Sequence, residues 1–245
     1  LLLALRSFLD GALFAEVFGS EAPDVLALHG WGRRGSDFSP ALDGLGAIAP
    51  DLPGFGASPV PDDVMGADAY ADIVAEILDS FDRPPVLVGH SFGGRVAVCL
   101  AAKHPEHVGD LVLMGVPLIR LETGRRPPTG YRFARWLNSI GVISDERMER
   151  EKKRRGSADY RAANGVMRDI LVRVVNESYE GQLGRIESRV HLLWGENDTE
   201  VPVSVAESAS ALLSDVTLEV LSGVGHMVPL QAPQALRSAI DRARV

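Results

Sequence analysis

Four separated stretches of the chain carry residues whose types and spacing suit nucleophilic catalysis. In Val86-Leu87-Val88-Gly89-His90-Ser91-Phe92-Gly93-Gly94, a serine is framed by a glycine two places to either side. A serine hydroxyl becomes a useful nucleophile only when a base takes its proton. A G-x-S-x-G between an apolar strand and a helix puts such a serine on a sharp turn above the C-terminal edge of a sheet. Side chains at Gly89 and Gly93 would collide with the neighbouring strand and helix. The Phe92 backbone N–H points toward the oxygen that becomes negative on attack. In an ordinary loop the same five residues would mean little; the strand before and the helix after give them meaning.

The remaining parts of such a site occur in order. His29-Gly30-Trp31-Gly32 follows the apolar run Val25–Leu28, where the Trp31 backbone N–H is the expected second oxyanion donor. Two preorganised donors of this kind contribute about 3–4 kcal/mol each. His29 itself reads as a structural loop residue. Val190-His191-Leu192-Leu193-Trp194-Gly195-Glu196-Asn197-Asp198 sets a carboxylate just past a late strand. Glu196 and Glu200 compete for the role. Asp198 is preferred because the Gly-x-x-Asp spacing carries the chain off the strand before the acid is presented. Ser222-Gly223-Val224-Gly225-His226-Met227 then offers a histidine in a glycine-rich setting, completing the order Ser91, Asp198, His226.

These residues need a scaffold, and the hydrophobic pattern describes one. Asp10-Gly11 lies between two β-prone runs, a two-residue hairpin signal. Short apolar strands are expected at Val25–His29, Ala47–Pro50, Val86–Gly89, Val108–Gly115, Val190–Trp194 and Thr217–Leu221. Most are continuously apolar, as in a parallel sheet covered on both faces. Helical spacing marks Ala67–Asp79, Ser91–His104, Val203–Leu213 and Pro229–Arg242. The expected fold is α/β, with a doubly wound, mostly parallel sheet. From 117 to 187 there is no clear strand, and seventy residues are too many for a crossover loop. That stretch reads as a helical cap inserted between core segments 1–116 and 188–245.

A chain of 245 residues can bury roughly 70–75% of its unfolded surface without a metal or disulfide staple. Its one cysteine, Cys99, cannot form an intrachain disulfide and sits in an apolar run expected in the core. A net charge of −8 argues against a general nucleic-acid binder, which would be basic. No apolar stretch reaches the ~20 residues of a membrane span. The apolar start, Leu1 to Leu5, is too short for a signal-peptide core, and a cytoplasmic location is the expectation. The chain starts at Leu1 without Met, so residues upstream are expected to be missing.

Taken together, Gly89–Gly93, His29–Gly32, Gly195–Asp198, Gly225–His226 and the loop Asp51-Leu52-Pro53-Gly54-Phe55-Gly56-Ala57-Ser58 resemble the α/β-hydrolase superfamily over essentially the whole chain. The likeness is greatest to its small bacterial esterase, lactonase and C–C hydrolase branches. The resemblance implies acyl transfer to Ser91, with His226 as base, Asp198 as its orienting acid, and Trp31 and Phe92 as the oxyanion hole. It implies no metal and no organic cofactor. A small ester, thioester or lactone is the expected substrate. C–C bond hydrolysis of a diketone, perhydrolysis, or a receptor role on the same fold are the alternatives.

The cap differs from the body in charge. Residues 120–189 hold 16 Lys and Arg against 10 Asp and Glu, a net +6, and the remainder carries −14. One explanation is a solvated helix surface docking on an acidic body. The other is that some of Arg125, Arg126, Arg132, Arg135, Arg161 and Arg168 face the pocket and favour an anionic substrate.

Overall fold

A computed structural model describes residues 3–119 and 158–244. Its eight strands form one sheet. β1 (Leu3–Phe8) and β2 (Leu13–Phe18) make a hairpin, followed by β3 (Val25–Leu28), β4 (Ala47–Asp51), β5 (Val86–His90), β6 (Leu111–Met114), β7 (Val190–Gly195) and β8 (Val216–Leu221). The spatial order is β1-β2-β4-β3-β5-β6-β7-β8. β2 runs antiparallel to both its neighbours, and the other pairings are parallel.

Strands β3 to β7 are buried along their whole length, which explains their continuously apolar sequences. Their period-2 alternation sorts the side chains into two cores. Leu26, Leu28, Leu87, Leu111 and Leu113 pack against α2 (Ala67–Ala75) and α3 (Phe92–Lys103). Val25, Ala27, Val86, Val88 and Val112 pack with Leu42, Leu236 and Ile240. Each fully buried Leu or Val contributes roughly 1.5–3 kcal/mol. A charge at Leu87, with 0% exposure, would break the sheet at its centre. β8 alternates polar and apolar residues because one face is open.

After β3 the chain places β4 on one side and β5 on the other. Such a reversal opens a crevice at the C-terminal strand ends. The direct pairing Leu28↔Gly89 brings the loop after Leu28 beside the turn after Gly89.

The hairpin follows the sequence reading, and several other boundaries differ from it. The hairpin has the expected two-residue turn at Asp10-Gly11, with Phe8 opposite Leu13 and Ala12 N–H donating to the Leu9 carbonyl at 3.0 Å. Leu9 and Asp10 adopt φ 52° and 54°, and Leu9 also packs against the core. β6 is shorter than Val108–Gly115 at both ends: its pairing begins at Leu111, and Gly115 turns the chain at φ 55°. The expected helix Pro229–Arg242 is two helices, Val228–Gln231 and Pro233–Ala243. Pro233 has no N–H to donate, and Ala232 before it leaves the helical region at φ −139°.

Among the described residues of the insertion there are helices and no strand: α4 (Ala158–Ala162), α5 (Gly165–Val174) and α6 (Glu180–Leu183), α1 being Ser39–Leu42. Tyr179, Leu183 and Ile186 are buried in the same core as α3. Cys99 is buried there too, and burial pushes its thiol up to about 12. No helix among the described residues is long and apolar enough to cross a membrane.

Candidate active site

Ser91 stands between β5 and α3 at φ 49°, ψ −113°, a backbone conformation that a residue with a Cβ rarely adopts. The turn is fastened by Ser91 N–H to the Met114 carbonyl (2.9 Å) and Gly94 N–H to the Ser91 carbonyl (3.1 Å). The flanking glycines are needed for room. A Cβ on Gly89 would lie 2.6 Å from Gly94 Cα, and one on Gly93 would run into the Leu28 carbonyl.

The Trp31 loop is tied down equally firmly. His29 Nδ1–H donates to the Gly30 carbonyl at 2.7 Å, and its Nε2 accepts from Leu52 N–H at 2.9 Å. Those bonds define the neutral tautomer, and burial holds the ring at about 4. Asp51 accepts from Gly35 N–H and Ala57 N–H, both at 2.8 Å. His29 is thus a structural residue of the loop. Trp31 stacks edge-on against Phe92 with centroids 5.4 Å apart. Among the described residues, neither the Trp31 nor the Phe92 backbone N–H donates to a protein acceptor. Phe92 opens α3, where an N–H has no intrahelical partner.

On the other side, His226 Nδ1 donates to Asp198 Oδ2 at 2.8 Å. The second Asp198 oxygen accepts from Glu200 N–H and Val201 N–H at 2.9 and 2.8 Å. Burial would raise this carboxyl, but the His226 bond and the two N–H bonds outweigh it and hold it below its ordinary range. Burial likewise would lower His226; the Asp198 bond and charge, with Glu200 and Asp159 further out, outweigh it and keep the imidazole above 6.5.

The competing acids do other work. Glu196 accepts from Ser222 Oγ–H (2.8 Å) and Gly223 N–H (3.1 Å), steadying the loop that leads to His226. Glu200 sets a carboxylate oxygen 3.7 Å from His226 Nε2.

Ser91, His226, Trp31 and Phe92 line one cavity of about 170 Å³, together with Arg95, Pro117, Asp159, Leu171, Val174, Val175, Glu200 and Val201. Two of the sequence-predicted arginines are described, and neither lines it. Arg168 is committed locally, donating to the Ala163 carbonyl at 3.0 Å and lying over the Tyr160 ring at 5.5 Å. Arg161, at the end of α4, is likewise absent from the lining. Arg125, Arg126, Arg132 and Arg135 lie outside the described residues. Among the described residues the charged groups lining the cavity are Arg95, Asp159 and Glu200, and the sequence reading missed Arg95. A lone arginine inside the otherwise apolar helix start, four residues after Ser91, was the available signal.

His90 was also passed over. Its Nε2–H donates to the His226 carbonyl at 3.0 Å, and the two rings lie 4.9 Å apart. Burial, and then the neighbouring His226, push His90 down to about 3. It stays neutral and grips the backbone of the residue beside it.

A strand-ordered sheet with this switch point, elbow and histidine–aspartate pair defines a class, and residues 25–239 match the sequence model of the alpha/beta hydrolase family. The chain belongs to that family and is a hydrolase. Among its relatives is the pimeloyl-[acyl-carrier protein] methyl ester esterase of Chromobacterium violaceum, 28% identical across 87% of this chain and 91% of that protein. Another is the biotin biosynthesis bifunctional protein BioHC of Cellvibrio japonicus, 26% identical across 89% of this chain. The chain spans about half the length of that protein, 47%. A hydrolase from Pseudomonas aeruginosa PA01 has the same fold, with TM-score 0.72 and 22% identity over 99% of this chain and 98% of that one.

Proposed function

We propose that this chain is a serine hydrolase that cleaves a small carboxylic ester, thioester or lactone through an acyl-enzyme on Ser91. The observation that supports this reading is the 2.8 Å bond between His226 Nδ1 and Asp198, on an imidazole that shares its cavity with Ser91.

In the first half-reaction His226 Nε2 takes the Ser91 proton as Oγ attacks the substrate carbonyl carbon. The carbonyl oxygen becomes an oxyanion, received by the Trp31 and Phe92 N–H groups. Asp198 keeps the proton of the neutral ring on Nδ1, so that Nε2 is free to accept, and stabilises the cation that follows. Collapse expels the alcohol or thiol, which leaves with the proton from Nε2. In the second half-reaction a water gives its proton to Nε2 and attacks the acyl carbon. The carboxylic acid departs and Ser91 recovers its proton.

A fluorophosphonate probe tests the nucleophile. Ser91→Ala should lose both labelling and turnover, with a rate loss on the order of 10⁶ as in other serine hydrolases. Labelling that survives the substitution would put the nucleophile elsewhere. Steady multiple turnover across a panel of esters, thioesters and lactones is expected; a single slow turnover with a stable product complex would indicate a receptor instead.

A further inference from the structure

Arg95 is only 7% exposed and lines the cavity that holds Ser91. It lies four residues after Ser91, on the helix that follows the elbow, so the two Cα atoms are about 6 Å apart along the axis. One guanidinium N–H donates to the Val174 carbonyl at the end of α5, and the group lies 5.7 Å from the Tyr179 ring centroid. Among the described residues no carboxylate comes within ion-pair distance of it. The nearby acid, Glu177, is occupied by Tyr179 O–H (2.7 Å), Ala67 N–H (3.1 Å) and Arg173 (3.5 Å).

A guanidinium carries five N–H donors, and a buried charge without an opposite partner is costly to keep. The Val174 carbonyl and the Tyr179 ring satisfy part of that need. The group also borders the cavity that holds Ser91. The acidic residues of the same cavity gather at the other end: Glu200 is beside His226, and Asp159 acts on the same imidazole. The cavity is therefore polarised, cationic where Arg95 meets α5 and acidic where His226 meets solvent.

We propose that Arg95 is an anion subsite, binding a substrate carboxylate carried a few bonds from the scissile carbonyl, as in the monoester of a short dicarboxylic acid. This rests on the Ser91 reading above. A cavity of about 170 Å³ suits a short chain of that kind better than a bulky phosphorylated carrier. The planar fork of arginine matches a carboxylate through two parallel hydrogen bonds.

The experiment has a binding arm and a kinetic arm. Calorimetry on the unmodified protein compares butyrate with butyramide, equal in size and different in charge. Butyrate should bind about ten- to hundredfold more tightly, the range for hydrogen bonds to charged groups. Arg95→Gln should erase the difference, and Arg95→Lys should keep part of it. The kinetic arm compares monomethyl succinate with methyl butyrate. The anionic ester should have the higher kcat/KM, through a lower KM, and Arg95→Gln should bring the ratio to one.

A residue that only fastened α5 to the core would slow both esters by the same factor. An unchanged ratio would therefore overturn the subsite. If Arg95→Gln does not fold, Arg95→Lys carries the test, because it keeps the charge and loses the fork. Equal binding of butyrate and butyramide would overturn the subsite whatever the turnover. Arg95-dependent butyrate binding without turnover of any ester would instead sink the hydrolase reading and leave the subsite standing.

Discussion

The cavity has two unlike walls. The core wall consists of Ser91, Phe92, Trp31 and His226, set on strand ends and on loops fastened by backbone hydrogen bonds. Among the described residues the wall from the insertion includes Pro117, Leu171, Val174, Val175 and Asp159. Bond-making tolerates displacements of only a fraction of an ångström, so reactive groups belong on the sheet. An apolar wall can change its side chains without disturbing them. The core wall should set the rate, and the insertion, together with Arg95 of α3, should set which substrate is accepted.

That division can be broken experimentally, beginning with its largest consequence. Asp198→Asn should lower kcat by about 10⁴, as the corresponding change does in a serine protease. Glu196→Gln, which loosens only the loop ahead of His226, should cost a few-fold at most; steady-state kinetics on one ester compares the two. A larger loss in Glu196→Gln would mean that the acid is misassigned.

On the opposite wall, Leu171→Ala should shift the preference toward longer acyl chains by about tenfold, since a methylene in an apolar pocket is worth roughly 1–3 kcal/mol. The shortest ester should keep its kcat. If Leu171→Ala lowers kcat for every chain length alike, the insertion takes part in the chemistry and the division fails.

His90→Gln should lower kcat severalfold at unchanged KM, since one neutral hydrogen bond contributes about 0.5–1.5 kcal/mol. A change confined to KM would contradict a positioning role.

The smallest effect concerns pH. The base must be neutral, and His226 is held above 6.5, so kcat/KM should fall on the acid side with a midpoint above that value. Glu200→Gln removes a negative charge facing Nε2 and should move the midpoint down, with the plateau rate almost unchanged. An unmoved midpoint would show that solvent screens Glu200 completely.

The parts of the site read from sequence were those whose chemistry is local. Glycines flanking a serine between strand and helix determine an elbow because the clashes they avoid, with Leu28 and Gly94, follow from the strand pairing itself. Asp198 could be preferred over Glu196 and Glu200 because its distance from β7 is counted along one segment. Arg95 was overlooked for the opposite reason. Its significance comes from Val174 and Tyr179, about eighty residues away, and no periodicity in α3 reports them. Composition could not assign the cap arginines: a net +6 measures how much charge a segment carries and not where it points, and of the two described, Arg168 donates to Ala163 and lies over Tyr160. The hairpin was legible because Asp10-Gly11 suits a two-residue turn, and Ala12 N–H closes it on the Leu9 carbonyl. Pro233 was a breaker in plain view, and the helix crossing it should have been divided.

The backbone of Ser91 has one more consequence, for heat resistance. At φ 49° and ψ −113° the residue occupies a region that costs about 1–3 kcal/mol for anything but glycine. Met114 and Gly94 hold it there. Exchanging Ser91 for glycine would remove the Cβ that makes this conformation costly, so the inactive variant should melt at a higher temperature than the active protein, while Ser91→Ala, which keeps that Cβ, should not. The nucleophile would then lie where the fold is least relaxed, and the most heat-resistant form of this protein would be one that cannot turn over.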